Sequence, residues 1–241
     1  MNLSSGQTSS QNQILALPPL ENGDRLTPAE FERRYAAMPN LKKAELIEGV
    51  VYMAAALRFR SHGRPHALLM AWLTDYWLAT PGTELGDNPT VRLDGNNSLQ
   101  PDAILLIDHA LGGQSSLSQD DYIEGAPELV IEVAASSAAN DLHDKKRAYA
   151  RNGVQEYIVW QVLETRIDWF ILQGENYVNL VPDDGIFRSQ IFPGLWLAVE
   201  ALLAENMTQV LEVLQIGLRS SEHQKFLDQL NSTAKENLKY T

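Results

Sequence analysis

The sequence has no cysteine among its 241 residues, which excludes disulfide bonds and thiolate zinc sites. Nothing in it approaches the roughly 18 consecutive apolar residues of a transmembrane helix, so no membrane span is expected. Residues 1–15 are polar and rich in Ser and Gln, and they lack the basic and apolar segments of a signal peptide. We therefore expect a flexible tail over residues 1–24 of a cytoplasmic protein.

Three common catalytic motifs are also missing. No G-x-S-x-G, P-loop or G-x-G-x-x-G pattern occurs, so serine hydrolases, P-loop NTPases and Rossmann enzymes have no support. Positive charge is scarce, because 19 Lys and Arg face 31 Asp and Glu, which gives a formal net charge of −12. This argues against a broadly basic surface for nucleic acid, although a local basic stripe is compatible with an acidic whole. The residues that could form such a stripe, or could simply be solvated, are Arg58, Arg60, Arg64, Lys145, Lys146, Arg147 and Arg151.

What the sequence does contain is two acidic residues inside apolar, strand-like segments. Asp102 opens the run AILLI, and Glu132 interrupts the run LVIEV. An ionised carboxylate is costly in such surroundings without a partner. Two carboxylates on adjacent strands would also repel each other unless a divalent cation or a lysine neutralises them. The pair therefore points to a Mg²⁺ site, in which a few hard oxygen ligands leave room for water and substrate phosphate.

The residues around this pair form an ordered set of motifs. ELIEG at residues 45–49 comes first, followed by PD at residues 101–102 and VIEV at residues 130–133. Asp141, Lys145 and Tyr149 then follow at helical spacing, and GVQEYIV at residues 153–159 enters the next strand. This set resembles the Uma-two family of bacterial endonucleases, a former domain of unknown function within the PD-(D/E)xK restriction-endonuclease-like superfamily. The resemblance runs from about Thr27 to Leu197 and covers most of the chain.

The resemblance implies an α/β fold, with a restriction-endonuclease-like mixed β-sheet core flanked by helices. It also implies a metal-dependent endonuclease that hydrolyses phosphodiester bonds in DNA. Asp102 and Glu132, together with Glu45, would bind Mg²⁺ or Mn²⁺. The superfamily's lysine position holds Ala134 here, so the lysine is expected on the following helix at Lys145, where its ammonium would stabilise the transition state at the phosphate.

Two further expectations concern partners and activity. Many restriction-type nucleases need two active sites to cut both strands, so the resemblance favours a homodimer. The competing hypothesis is a non-catalytic interaction or regulatory module that keeps the nuclease fold. Its basis is the net charge of −12 and the alanine at the superfamily's lysine position.

The apolar periodicity of the chain also favours a mixed sheet flanked by helices. Helices are predicted from the capping box at Thr27, over residues 62–78, over residues 141–151 and over residues 199–238. Strands are predicted at residues 45–53, 90–93, 102–107, 128–133, 156–162, 166–173 and 176–181, with a loop over residues 111–126. The expected nuclease domain spans residues 25–200. Residues 201–241 are expected to form a helical extension that packs on the sheet or on a second copy of the chain.

Several site residues also have a purely structural interpretation. Asp102 could cap a turn at the start of a strand, and Asp141 could be the N-cap of the helix that carries Lys145. Tyr149 would most often be a packing residue with its hydroxyl at the rim. Glu132 is harder to explain in this way, because a lone glutamate within an apolar strand is rarely structural unless it is paired.

Two histidines, His62 and His66, have the i, i+4 spacing that can bind zinc on a helix. Pro65 lies between them and no glutamate completes an H-E-x-x-H motif, so surface or cap positions are favoured. The resemblance leaves a role for His62 near phosphate open.

Overall fold

The computed structural model describes residues 17–53, 57–135 and 141–237. The helices are α1 (Pro28–Ala36), α2 (Arg64–Ala79), α3 (Lys146–Asn152), α4 (Val199–Leu203), α5 (Met207–Leu218) and α6 (Ser221–Asn237). The strands are β1 (Ala44–Ile47), β2 (Val50–Met53), β3 (Thr83–Asp87), β4 (Val91–Asp94), β5 (Asn97–Leu99), β6 (Ala103–Ile107), β7 (Ser116–Leu117), β8 (Ile123–Glu124), β9 (Leu129–Ala134), β10 (Glu156–Gln161), β11 (Arg166–Gln173), β12 (Asn176–Asn179), β13 (Ile186–Arg188) and β14 (Trp196–Ala198). Two π-helical turns, Phe59–Gly63 and Asp141–Lys145, lead directly into α2 and α3. Within these ranges, the helices are too short or too polar to cross a membrane.

The central sheet has the strand order β12-β11-β10-β9-β6-β3. β9 and β10 run parallel, and the other neighbouring strands of this sheet are antiparallel. Because parallel neighbours need a crossover, the chain passes from β9 to β10 by way of α3. Every residue of β9 and β10 is buried, as expected for strands that are covered on both faces.

The two faces of the central sheet have different partners. On one face, Trp72 of α2 and Trp169 of β11 pack with Leu214 of α5 and Phe226 of α6. On the other face, Tyr149 of α3 belongs to a cluster with residues of a second sheet, whose order is β2-β1-β5-β4-β8-β7. The C-terminal helices therefore pack on the sheet of their own chain and help to complete its core.

The α/β architecture predicted from the sequence is confirmed. Thr27 Oγ1 accepts a hydrogen bond from Glu30 N, and Pro28 is the first residue of α1, as the capping box predicts. Gly153 has a φ of +85° and ends α3, because a left-handed residue without a Cβ satisfies the last carbonyls at little steric cost.

The sequence patterns miss several short strands. β3, β5 and β13 have no counterpart among the predicted strands, and the predicted loop at residues 111–126 contains β7 and β8. Each of these strands has only two to five residues, which is too short to display a clear apolar period. They form because a neighbouring strand pairs with them, and that information lies elsewhere in the chain.

The expected tail begins outside the described residues, which start at Leu17. Leu20 is buried in a cluster with Phe31 and Val51, and Gly23 N donates a hydrogen bond to Val51 O at 2.8 Å. The chain is therefore tied to β2 from Leu20 onward, before the expected boundary at residue 25.

Candidate active site

Asp102, the residue immediately before β6, lies opposite Glu132 of the neighbouring strand β9. β6 and β9 pair antiparallel with Ala103 opposite Ile131, so the next pair along this register is Asp102 and Glu132. Residues directly opposite on antiparallel strands project from the same face of the sheet, with Cβ atoms roughly 5 Å apart. The backbone N–H of Val133 donates to Asp102 Oδ2 at 2.7 Å and holds this carboxylate against β9.

Glu132 is held by two side chains of the segment that follows β9. Lys145 Nζ donates to Glu132 Oε1 at 2.9 Å, and the Tyr149 hydroxyl donates to the same oxygen at 3.1 Å. All three side chains are buried. Lys145 ends the π-helical turn and Tyr149 lies one helical turn later, so the i, i+4 spacing directs both toward one point.

Lys145 is surrounded by carboxylates from three parts of the fold. Besides Glu132, its Nζ lies 3.1 Å from Glu45 Oε1 and 3.3 Å from Asp141 Oδ1. Glu45 reaches the site from β1 of the second sheet, and the N–H of Gln100 donates to its Oε1 at 2.8 Å. The lysine thus connects the second sheet, through Glu45, to Glu132 of the central sheet.

Side chains from two further segments approach Asp102. Lys43, immediately before β1, places Nζ 3.5 Å from Asp102 Oδ1, and His62 places Nε2 3.2 Å from Oδ2. Burial acts to raise the pKa of Asp102, but the hydrogen bond with His62, the charge of Lys43 and the hydrogen bond from Val133 N outweigh it. The pKa of Asp102 therefore lies below its ordinary range, so this carboxylate is ionised at neutral pH.

The pKa of Glu132 shifts in the opposite direction, above its ordinary value. Burial raises the pKa of Glu132, although the charge of Lys145 opposes it, and the neighbouring carboxylates raise it further. Burial acts to lower the pKa of Lys145, but the surrounding carboxylates raise it well above its ordinary range. Lys145 is therefore a permanent ammonium in a cluster that carries surplus negative charge.

All four residues that the sequence nominates, Glu45, Asp102, Glu132 and Lys145, come together in this cluster. The expectation that the hydroxyl of Tyr149 lies at a rim is wrong, because it is buried against Glu132. Sequence reasoning also missed Lys43. The available signal was its position two residues before Glu45, since alternate residues at a strand entrance share a face.

Most of the expected basic stripe is paired with acidic side chains. Arg64 contacts Glu205, Arg147 contacts Asp144, and Arg151 contacts both Glu48 and Asp94. Lys145 is buried in the site, and Lys146 Nζ lies 3.3 Å from the ring centroid of Phe170. Arg58 and Arg60 are exposed, and no carboxylate of the described residues lies within ion-pair distance of either.

The fold is an α/β architecture, a mixed sheet with flanking helices that carries a buried acidic cluster around Lys145. The Uma2 family model, described as "Putative restriction endonuclease", matches residues 28–200, and the chain belongs to this family. The family predicted from the sequence is therefore confirmed.

A solved structure has a similar fold. It is a "putative nuclease belonging to DUF820" from Anabaena variabilis ATCC 29413, with a TM-score of 0.54 and 14% sequence identity. The match covers 71% of this chain and 96% of that chain. No curated protein matches the sequence. At this identity the structural match establishes the fold, while the family match supports a nuclease-like function.

The donor set fits Mg²⁺ or Mn²⁺, the cofactors that the resemblance implies. Asp102 and Glu132 offer hard carboxylate oxygens on one face of the sheet, and the surplus negative charge favours a further cation. The contacts of Lys145 and Tyr149 with Glu132 both use Oε1. No three acidic or histidine side chains of the described residues are arranged to hold a metal ion. The chain would therefore offer a pair of carboxylates rather than a closed cage, which suits Mg²⁺ because this ion usually retains several waters.

Proposed function

We propose that this protein is a metal-dependent endonuclease that hydrolyses phosphodiester bonds in DNA. The observation that carries the proposal is the opposed pair of Asp102 and Glu132, with the ammonium of Lys145 2.9 Å from Glu132 Oε1. Membership of a family described as restriction endonucleases supports the same class of reaction. The proposal includes a homodimer, because many restriction-type nucleases use two active sites to cut both strands of DNA.

Each residue of the cluster has a distinct task in this proposal. Asp102 and Glu132 would hold Mg²⁺ or Mn²⁺, while Glu45, which contacts Lys145 Nζ, would hold the ammonium in place. When bound, such a cation supplies Lewis-acid charge to the phosphate and to the attacking water. The hydrogen bond from Val133 N fixes Asp102, and the hydroxyl of Tyr149 fixes Glu132.

Lys145 contributes a positive charge that does not depend on pH in the neutral range. Its pKa is raised well above the ordinary value, so the ammonium is present throughout turnover. A preorganised ammonium in a buried site stabilises negative charge that develops on a phosphate far better than one in water. We therefore assign transition-state stabilisation to Lys145.

The test is cleavage of supercoiled plasmid and of end-labelled single-stranded DNA with Mg²⁺, Mn²⁺ or EDTA. Glu132→Gln and Lys145→Met are each expected to lower the rate by about 100-fold or more, by analogy with the loss of one preorganised donor. The matched control is Glu156→Gln, which changes another buried glutamate, on the neighbouring strand β10, outside the site. Full metal-dependent cleavage by Glu132→Gln would refute the assigned mechanism.

A non-catalytic interaction module is the alternative, and one observation favours it. Lys145 already neutralises part of the carboxylate cluster, as an internal cation in a structural ion network would. Such a module would bind no divalent cation at Asp102 and Glu132. A stability measurement with added metal, argued in the Discussion, separates the two functions.

A further inference from the structure

The segment Arg58–Arg60, here called the arginine turn, differs from the rest of the basic residues. Arg58 and Arg60 are exposed, and neither is within ion-pair distance of a carboxylate of the described residues. Phe59 between them is 72% exposed. In a protein with a net charge of −12, an unneutralised pair of cations around an exposed aromatic ring is a distinct surface chemistry.

Isolated exposed apolar side chains are normal and need no functional explanation. The connection of the arginine turn to the candidate active site sets it apart. The N–H groups of His62 and Gly63 donate to the carbonyl of Arg58 at 3.0 and 3.1 Å, which closes the π-helical turn before α2. His62, three residues after Phe59, places its Nε2 3.2 Å from Asp102 Oδ2. A ligand held by the arginine turn would therefore lie within a few residues, along the chain, of the histidine that contacts Asp102.

We propose that the arginine turn binds single-stranded DNA, with Phe59 stacking on an unpaired base and Arg58 and Arg60 contacting the flanking phosphates. This inference rests on the proposed nuclease function and specifies its substrate class. Aromatic side chains stack on bases of any sequence because every base has a π face, and arginines follow the backbone. Bases inside a duplex stack on each other, so Phe59 has a partner only where the strand is unpaired.

Binding is measured in EDTA, which prevents metal-dependent cleavage, with a labelled single strand and with the same sequence as a duplex. Phe59→Ala is expected to weaken single-strand binding roughly five- to 150-fold, the range for the loss of one stacked base. Duplex binding is expected to change less than about twofold in the same variant. Phe59→Trp is expected to preserve binding, whereas Phe59→Leu is expected to lose it because leucine has no π face.

Two exposed residues provide matched controls. Leu78 is 68% exposed at the opposite end of α2, so Leu78→Ala removes a similar apolar side chain away from the site. Arg219, after α5, is exposed and has no ion pair among the described residues, so it serves as the control for the arginines. Both control variants are expected to bind single-stranded DNA like the wild type.

The arginines are tested through salt dependence. Each phosphate contact to a single strand contributes about 0.7 to the slope of log K against log salt concentration. The double variant Arg58→Ala, Arg60→Ala is therefore expected to reduce the slope by about 1.4, and Arg219→Ala is expected to leave it unchanged. A base analogue such as 2-aminopurine, quenched on stacking, should lose fluorescence with the wild type and retain it with Phe59→Ala.

Several outcomes would overturn the inference. They are an absence of single-strand binding by the wild type, equal losses in Phe59→Ala and Leu78→Ala, or an equal effect of Phe59→Ala on duplex. If the endonuclease proposal alone is wrong, single-strand binding that depends on Phe59 should persist while no metal-dependent cleavage occurs. Conversely, if Phe59→Ala changes neither metal-dependent cleavage nor single-strand binding, only the proposed binding role of the arginine turn is refuted.

Discussion

Lys145 Nζ lies 2.9 Å from Glu132 Oε1, and both side chains are buried. The π-helical turn that ends at Lys145 leads into α3, which covers the face of the central sheet from which Glu132 projects. A lysine on this helical segment, rather than at position 134 of β9, therefore still places its ammonium beside Glu132. Two further carboxylates, those of Glu45 and Asp141, contact the same ammonium. We therefore expect Lys145 to contribute both to the stability of the site and to its proposed chemistry.

Lys145→Met is expected to destabilise the fold by roughly 3–5 kcal/mol at pH 8, because removing one partner leaves buried carboxylates uncompensated. The loss should shrink as the pH falls, since protonation of those carboxyls removes their unpaired charge. Urea denaturation at pH 5.5 and pH 8 measures both effects. Lys225→Met, which changes an exposed lysine on α6, is the control and should alter stability by less than about 0.5 kcal/mol. Equal stabilities of the two variants at pH 8 would contradict the assigned role of Lys145 in the cluster.

Some of this site could be predicted from the sequence because its determinants are local. Asp102 and Glu132 stand out since each interrupts or opens an apolar strand, and Lys145 stands out since it shares helical spacing with Asp141 and Tyr149. The contacts of Lys43 and His62 with Asp102 could not be predicted in this way. They depend on where β1 and the turn before α2 lie relative to β6, which is a matter of packing between distant segments.

In the fold, too, some elements are determined by local sequence and others by pairing with distant segments. β9, β10 and the ends of α1 and α3 follow from apolar runs, a capping box and a glycine, all of which act within a few residues. The second sheet does not, because short strands such as β5, β7 and β8 are defined by their partners. The burial of the Tyr149 hydroxyl follows from the covering of that face by the second sheet, so local spacing could not reveal it.

Tyr149→Phe removes only the hydroxyl that donates to Glu132 Oε1 at 3.1 Å. A buried hydrogen bond to a charged group contributes about 1.5–3 kcal/mol, so a loss in that range is expected in chemical denaturation at alkaline pH, where Glu132 is ionised despite its raised pKa. Tyr177→Phe is the matched control, because the Tyr177 hydroxyl donates to a neutral backbone carbonyl, Val154 O, at 2.8 Å. Its expected loss is about 1 kcal/mol.

A double-mutant cycle tests whether the stabilising effect of the Tyr149 hydroxyl acts through Glu132. In a Glu132→Gln background the acceptor is neutral, so Tyr149→Phe should cost less than in the wild type. Additive losses from Tyr149→Phe and Glu132→Gln would show that the hydroxyl acts on something other than the glutamate.

Glu156 lies at the start of β10 and anchors the loop after β13. Its carboxylate accepts hydrogen bonds from Ser189 Oγ at 2.8 Å and from Gln190 N at 2.7 Å. Burial raises the pKa of Glu156 to about 7 from an ordinary value of 4.5, although these hydrogen bonds oppose the shift. Between pH 4.5 and 7 the folded state therefore holds a proton that the unfolded state has released, and stability falls as the pH rises through this window.

Glu156→Gln removes this titration while an amide still offers an acceptor oxygen to Gln190 N and hydrogen-bond donors to Ser189. The stability of the wild type relative to Glu156→Gln is expected to fall between pH 4.5 and 7.5, by up to about 3 kcal/mol. The difference between the two urea midpoints across this range, at constant ionic strength, is the measurement. Parallel pH profiles would mean that Glu156 ionises in the folded state at its ordinary pKa.

Metal binding at Asp102 and Glu132 should be visible as stability, independently of any cleavage. A cation that binds only the folded state stabilises it by about 2.7 kcal/mol at 100 times its Kd, which corresponds to roughly 5–10 °C in Tm for a chain of this size. Millimolar Mg²⁺ or Mn²⁺ is therefore expected to raise the Tm of the wild type and of Glu156→Gln. Glu132→Gln and Asp102→Asn are expected to lose most of this gain because each replaces a carboxylate of the proposed pair with an amide.

Lys145→Met gives the decisive comparison between the nuclease and the non-catalytic module. The ammonium of Lys145 and a divalent cation would share the same surplus of negative charge, so removing the ammonium should increase the gain in Tm from metal. If the cluster is only a structural ion network, the metal should leave the Tm of the wild type unchanged. An increase in the wild type that survives in both Glu132→Gln and Asp102→Asn would mean that the cation binds elsewhere, and the opposed pair would lose its assigned role.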